Sequence, residues 1–363
     1  QQPARLAYSD VAQTTALSPE TIQAQLSQDI WLLAYHVIGD QIMVFIVKED
    51  EIRVVRKVST LTAVRPFLDQ LSLEWNRFRI GAEFARRHMA RLEKSVQQVL
   101  LSLYEELIRP LATLLPTPKS TTSPIKLLII PHGLLHQVPF HALYDGRHYL
   151  LDHYELSYAP SATLFTLCQQ QPRPHFDHAL IVGVSDPNIP AVTAEVEAIG
   201  QQFVNATVKT NGEATTASFR TEAKKASLIH LACHGFFRAD NPMFSALKLH
   251  DDWLTAADIL QIDLNNCLVT LSACESGQSQ VQAGDELIGL ARAFIGAGAA
   301  SLVVSLWVVQ DDTAAVIMSD WYQELTRQIQ PNLAAALRAA QLKLKAQYPH
   351  PYYWAPYVLI GQR

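Results

Sequence analysis

Between positions 29 and 59 the apolar residues fall in three short β-rich runs, DIWLLAYHVI, QIMVFIV and IRVVRKVS, separated by Gly39-Asp40 and by Glu49-Asp50-Glu51. That punctuation predicts an antiparallel meander. From 60 to 115 the period becomes helical, most clearly at Met89, Leu92, Val96, Val99, Leu100, Leu103 and Leu107, spaced by three, four or one. A long helix or a helical hairpin is expected there. The stretch PTPKSTTSP at 116–124 is the best linker in the chain. It divides the sequence into an N-terminal accessory region, 1–118, and a second unit, 119–363.

In the second unit the pattern changes. Apolar runs at 126–130, 178–184, 227–233, 267–273 and 301–307 alternate with helical stretches near 191–202, 214–225, 255–262, 285–296 and 312–328. Strands apolar on both faces and separated by helices predict an α/β unit with a mostly parallel sheet flanked by helices on both faces. Right-handed crossovers would then bring the C-terminal ends of the parallel strands to one edge, where open α/β sheets carry their sites. The uncharged stretch 293–310 reaches the lower limit of a bilayer span. Gly296 and Gly298 interrupt it, however, and a helix followed by a buried strand accounts for the same residues.

Composition narrows the function classes. Across 363 residues, 29 Lys and Arg stand against 34 Asp and Glu, a formal net charge of −5 with no long run of either sign. Neither a nucleic-acid partner nor an anionic membrane is expected. With 49% hydrophobic and 17% charged residues the chain is a folding one with ample core. Its four cysteines, Cys168, Cys233, Cys267 and Cys274, form no CxxC pair. A reducing, cytoplasmic setting is the default, and Gln1–Gln28 does not read as a signal peptide.

Two strands run out into reactive side chains. The strand at 227–233 is followed by His234-Gly235, and the strand at 267–273 by Cys274-Glu275-Ser276-Gly277. If these strands are neighbours, about 4.8 Å apart, His234 and Cys274 emerge side by side. A Cys-His dyad needs this arrangement, because the attacking species is the thiolate. Alternation sends Cys233 to the face opposite His234. His230 lies about 13 Å back along the strand at about 3.3 Å per residue, and Cys168 and Cys267 read as small buried hydrophobes. Of 14 glycines, Gly277, Gly284, Gly289, Gly296 and Gly298 all follow Cys274 closely, suggesting that backbone approaches a ligand there. The N–H groups of Gly235 and Cys274 are candidates for an oxyanion hole. A satisfied structural histidine and a buried cysteine explain the same two positions, and the residues alone leave both readings open. Zinc is disfavoured, since Cys233 and His234 point to opposite faces; no metal and no cofactor is expected. His132, His136 and His141 fit no helical ligand pair, and His136 is a candidate for lining the cleft.

At these residues the chain resembles the CHAT family of caspase-like cysteine peptidases, in the clan of separase, gingipain and legumain. The resemblance rests on IIPHGLLHQVPFHALYDG, LSYAPSATL, HLACHGFFRADNPMFSALKL, LTAADIL, LSACESGQSQVQAGDELIGLARAFIGAGAASLVVSLWVVQDD, ALRAAQ and YYWAPYVLIG, in that order. Ser276 stands where the family more often has Thr. The resemblance implies a caspase-like fold, His234 as general base, Cys274 as nucleophile, and a bacterial cysteine endopeptidase cutting a protein or peptide substrate. It also implies regulation by a partner or a TPR-type sensor region, since relatives serve in defence or cell death. By the same analogy the exit of strand 301–307 forms the specificity pocket, from Trp307, Val308, Val309, Asp311 and Asp312, with Glu275 and His136 as further substrate contacts. An acid there favours a basic residue before the scissile bond over Leu or Met. The segment Glu275–Ala283 is expected to be mobile without substrate. A silent peptide-binding module and a Cys-dependent thioesterase or acyltransferase are the alternatives.

Overall fold

A computed structural model describes the backbone of residues 17–117, 123–173, 175–187, 189–236, 241–264, 266–272, 274–275, 285–307, 309, 311–328 and 331–363, with side chains throughout except at 242, 274, 275, 285–288, 311 and 312. The meander forms as expected: β1 (Ile30–Ile38), β2 (Gln41–Val47) and β3 (Ile52–Thr60) pair antiparallel, with Gly39 in the left-handed region at φ 61° where the first hairpin turns. Two helices follow, α1 (Leu61–Asn76) and α2 (Ala82–Leu107), and the expected apolar stripe of α2 from Leu92 to Leu107 is buried.

The remaining strands are β4 (Ile125–Ile130), β5 (Tyr154–Tyr158), β6 (Ala179–Gly183), β7 (Ala206–Thr210), β8 (Leu228–Ala232), β9 (His234–Phe236), β10 (Ala246–Lys248), β11 (Trp253–Thr255), β12 (Leu268–Leu271), β13 (Cys274–Glu275), β14 (Ser301–Ser305) and β15 (Tyr357–Gly361). Eleven of the fifteen described strands make one sheet in the order β3-β2-β1-β4-β5-β15-β14-β12-β8-β6-β7. The meander is part of that sheet, since β1 pairs in parallel with β4, and one apolar core runs beneath both regions.

The expectation of a single edge for all the parallel strands is corrected by one seam. β14 and β15 pair antiparallel, whereas β15-β5-β4-β1 on one side and β14-β12-β8-β6-β7 on the other are each parallel blocks. The two blocks run oppositely. The C-terminal ends of β8, β12 and β14 therefore share one edge, and those of β1, β4 and β5 lie at the other.

The N-terminal region still reaches the first of these edges. β3 runs in the sense of β1 and ends at the far edge, and the 16 residues of α1 span about 24 Å at 1.5 Å each, enough to return across the sheet. The end of α1 then stacks Trp75 on Trp307, just past β14, with centroids 4.4 Å apart and planes at 19°. Phe78 stacks on Tyr352 at 4.0 Å and packs against His350 and Tyr353.

Two buried histidines, His350 in this packing and His141 beside Tyr158 and Trp354, make the fold acid-sensitive. Burial lowers His350 to about 3, and burial lowers His141 to about 4 even though its Nε2 lies 2.8 Å from the Ala355 carbonyl. Both are held neutral in the fold and take up a proton near 6.5 when unfolded. Their contribution is present in full above about pH 6.5 and is lost as the pH falls toward their folded values, by up to about 1.4 kcal/mol per pH unit for each group. The melting temperature should fall steadily from pH 7 to pH 4.5, and His141→Gln should flatten that slope. A melting temperature constant over that range would refute the assignment.

Candidate active site

The strands carrying the candidate dyad do not run straight out of the main sheet. β8 stops at Ala232 and β12 at Leu271, and the chain beyond each enters a second sheet of order β11-β10-β9-β13. The register survives the break. Leu268 pairs with Leu228 in the main sheet, and Cys274 pairs with His234 in the small one, an offset of forty in both. The backbone thus sets Cys274 and His234 on neighbouring parallel strands, about 4.8 Å apart, with Glu275 opposite Gly235.

A carboxylate absent from the sequence-based site holds the His234 ring. Nε2 lies 2.7 Å from Oδ2 of Asp186, and the His234 side chain is 16% exposed. A carboxylate only accepts, so Nε2 carries the proton and neutral His234 keeps its lone pair on Nδ1. Nδ1 is buried and has no hydrogen-bond partner among the described residues. Asp186 is itself fixed: its Oδ1 accepts from the Ile189 N–H at 3.3 Å. The preceding residue is anchored too, because the Ser185 N–H and hydroxyl both donate to Asn211 Oδ1. β6 neighbours β8, with Gly183 opposite Ala232, so a residue three beyond Gly183 falls beside one two beyond Ala232. That juxtaposition was available in the sequence once the run at 178–184 was followed past its end to Ser185-Asp186. The hairpin β10–β11 gave no such signal, since each strand is three residues long.

The other thiols are placed as expected. Cys168, Cys233 and Cys267 are buried, and burial pushes the Cys168 and Cys267 thiols up to about 12. His230 is fully enclosed below the site, with Nδ1 3.0 Å from the Tyr322 hydroxyl and Nε2 3.3 Å from Glu195.

The remaining candidates are scattered. Trp307 emerges at the dyad's edge, but one ring face lies on Trp75 and its Nε1–H donates to the Tyr352 carbonyl at 3.1 Å. Val309 is 4% exposed and so offers little wall to a pocket. Asp311 opens the helix α3 (Asp311–Thr326), which follows β14. His136 is not brought to the dyad: it lies in the turn after β4, whose C-terminal end is at the opposite edge, and burial together with Arg292 lowers it to about 3. The glycine cluster also divides. Gly298, at φ 111°, sits where an added Cβ would meet the Leu264 carbonyl oxygen at 2.2 Å, so its task is close backbone packing before β14. Of the segment Glu275–Ala283 expected to move, all but Glu275 lies outside the described residues, as do Gly277 and Gly284.

Among the described residues no group of His, Cys, Asp and Glu forms a metal cluster, and no helix is long and apolar enough to cross a membrane.

The family model described as "CHAT domain" matches residues 97–362. Separase of Saccharomyces cerevisiae, solved in complex with securin, superposes with a TM-score of 0.67 at 10% identity, covering 94% of this chain and 30% of that one. The expected caspase-like α/β architecture is the one observed. Human tetratricopeptide repeat protein 28 is 34% identical over 108 residues, and its mouse counterpart 32% identical over 108 residues; the match takes in 30% of this chain and 4% of each relative.

Proposed function

Because the chain belongs to the CHAT domain family, we propose that it is a cysteine endopeptidase in which His234, oriented by Asp186, activates Cys274. The observation that carries this reading is the register of Cys274 against His234, together with the Asp186 contact that leaves Nδ1 of His234 buried and without a hydrogen-bond partner among the described residues. In the proposed reaction Nδ1 takes the thiol proton and Sγ of Cys274 attacks the scissile carbonyl. The N–H groups of Gly235 and Cys274 receive the oxyanion. The protonated imidazole then gives its proton to the departing amine, and water releases the acyl group from Cys274. Throughout, Asp186 holds the tautomer and faces the positive charge that forms on the ring.

The specificity pocket is proposed at the exit of β14, between Trp307 and the start of α3 at Asp311, with a basic residue before the scissile bond. The match to a tetratricopeptide repeat protein supports regulation by an attached repeat region or a protein partner.

The reading is tested by a thiol-reactive peptidyl acyloxymethyl ketone and by cleavage of a proteome-derived peptide library. Labelling confined to Cys274, with cleavage of library peptides, is expected. Labelling without any cleavage would favour a silent peptide-binding module or a thioesterase.

Asp186→Asn isolates the orienting role, because Asn keeps an acceptor for the Ile189 N–H and removes the charge. As Asp186 is 37% exposed, its loss should resemble that of an outer partner and lower kcat/KM by roughly 10- to 100-fold. A variant within twofold of wild type would show that the contact is incidental.

A further inference from the structure

The small sheet that carries the dyad has one buried face and one open face. Leu247 and Leu254 are fully buried on the first. On the second, alternation from His234 brings up Phe236, and Phe236 on β9 and Trp253 on β11, the two strands that flank β10, are 38% and 37% exposed, unusual for two large aromatics in one small sheet. Their rings meet edge to face, with centroids 6.0 Å apart, and the Lys248 ammonium lies 5.7 Å from the Trp253 ring centre. Such contacts hold the rings in place as a preformed apolar surface.

Register connects this surface to the reacting atoms. Leu247 stands opposite Gly235, so one further step sets Lys248 opposite His234, and Trp253 stands opposite Lys248. Cys274, His234, Lys248 and Trp253 therefore lie in one row across four strands. Three strand spacings of about 4.8 Å make the row about 14 Å long. The direction of the row has a chemical meaning. The base that protonates the leaving amine stands on the leaving-group side of the nucleophile; Trp253 lies beyond that base, and Phe236, two residues along the base's own strand on the same face, brings its ring to meet that of Trp253.

We propose that Phe236 and Trp253 form the subsite for the leaving-group side of the substrate, and that this subsite selects a large apolar residue. An extended peptide advances about 3.3 Å per residue, so the selected residue is the second to fourth after the scissile bond. The occupant is the polypeptide being cut, because the surface is continuous with the dyad's own sheet. The inference rests on the endopeptidase reading, and its test separates the two.

Cleavage sites are mapped in a proteome-derived peptide library with wild-type protein and with the double variant Phe236→Ser, Trp253→Ser; a second variant, Phe236→Leu with Trp253→Phe, retains apolar bulk. Wild type should show enrichment of Phe, Leu, Met or Trp at the second to fourth positions after the bond. The double serine variant should lose that enrichment, with kcat/KM on a selected peptide falling about tenfold toward that of its glycine-substituted analogue. The bulk-retaining variant should keep the enrichment. No such enrichment in wild type, or an unchanged profile in the serine variant, would overturn the subsite while cleavage itself upheld the endopeptidase. If wild type cleaves nothing and an acyloxymethyl ketone, which has no leaving-group-side residues, does not label Cys274, the endopeptidase reading fails and the subsite falls with it.

Discussion

Cys274→Ala is expected to abolish peptide cleavage, with a loss of at least about 1,000-fold in kcat, and to leave the melting temperature within a few degrees of wild type. Ala is close in volume to Cys, and the position lies in a two-residue strand at the edge of the small sheet. The contrast with the other thiols gives the experiment its power. Cys168 and Cys267 are pushed up to about 12 by burial, so neither supplies thiolate at neutral pH. Cys233, one residue before His234, is 1% exposed and faces away from it. Cys233→Ala should therefore cleave normally, and a thiol-reactive probe should label wild type and Cys233→Ala alike but not Cys274→Ala. Cleavage by Cys274→Ala at the wild-type rate would remove the nucleophile assignment and the mechanism built on it.

Much of this arrangement is legible in the sequence, and what is not has identifiable physical causes. Long apolar runs report burial, so β6, β8, β12 and β14 fall inside the stretches that periodicity marks out, and β4 starts one residue before its stretch. The dyad is legible for a similar reason: its two members each follow a run buried on both faces, and parallel neighbours bring strand ends together. Strand direction is a different matter. Nothing in the residues of β15 distinguishes pairing antiparallel to β14 from pairing parallel to it, because a strand buried on both sides carries the same apolar run either way. That single choice moves His136 from the expected cleft to the opposite edge. Short strands are illegible as well: β9, β10, β11 and β13 are two or three residues long and show no period. Asp186 is harder to read, because a lone acid in a loop has no pattern: following the run at 178–184 past its end reaches it, but only the pairing of β6 with β8 gives it a partner.

The second large effect is expected at His234. His234→Gln keeps a side chain able to hydrogen-bond Asp186 but removes the proton acceptor at Nδ1, the ring nitrogen that has no partner among the described residues. The Cys274 thiol should then titrate as an isolated thiol near 8.5, so only a few per cent would be thiolate at pH 7. Alkylation of Cys274 by iodoacetamide at pH 7 should slow by about tenfold or more, and its rate should climb through about pH 8.5 where that of wild type is already high well below. Peptide cleavage should fall much further than alkylation, because the same ring also delivers the proton to the leaving amine, a step that alkylation does not need. Asp186→Asn should lie between the two, since the ring is present but less firmly held. Equal alkylation rates for His234→Gln and wild type across pH 6 to 9 would mean that another group activates the thiol. The register of β9 against β13 would then be a structural pairing and not a catalytic one.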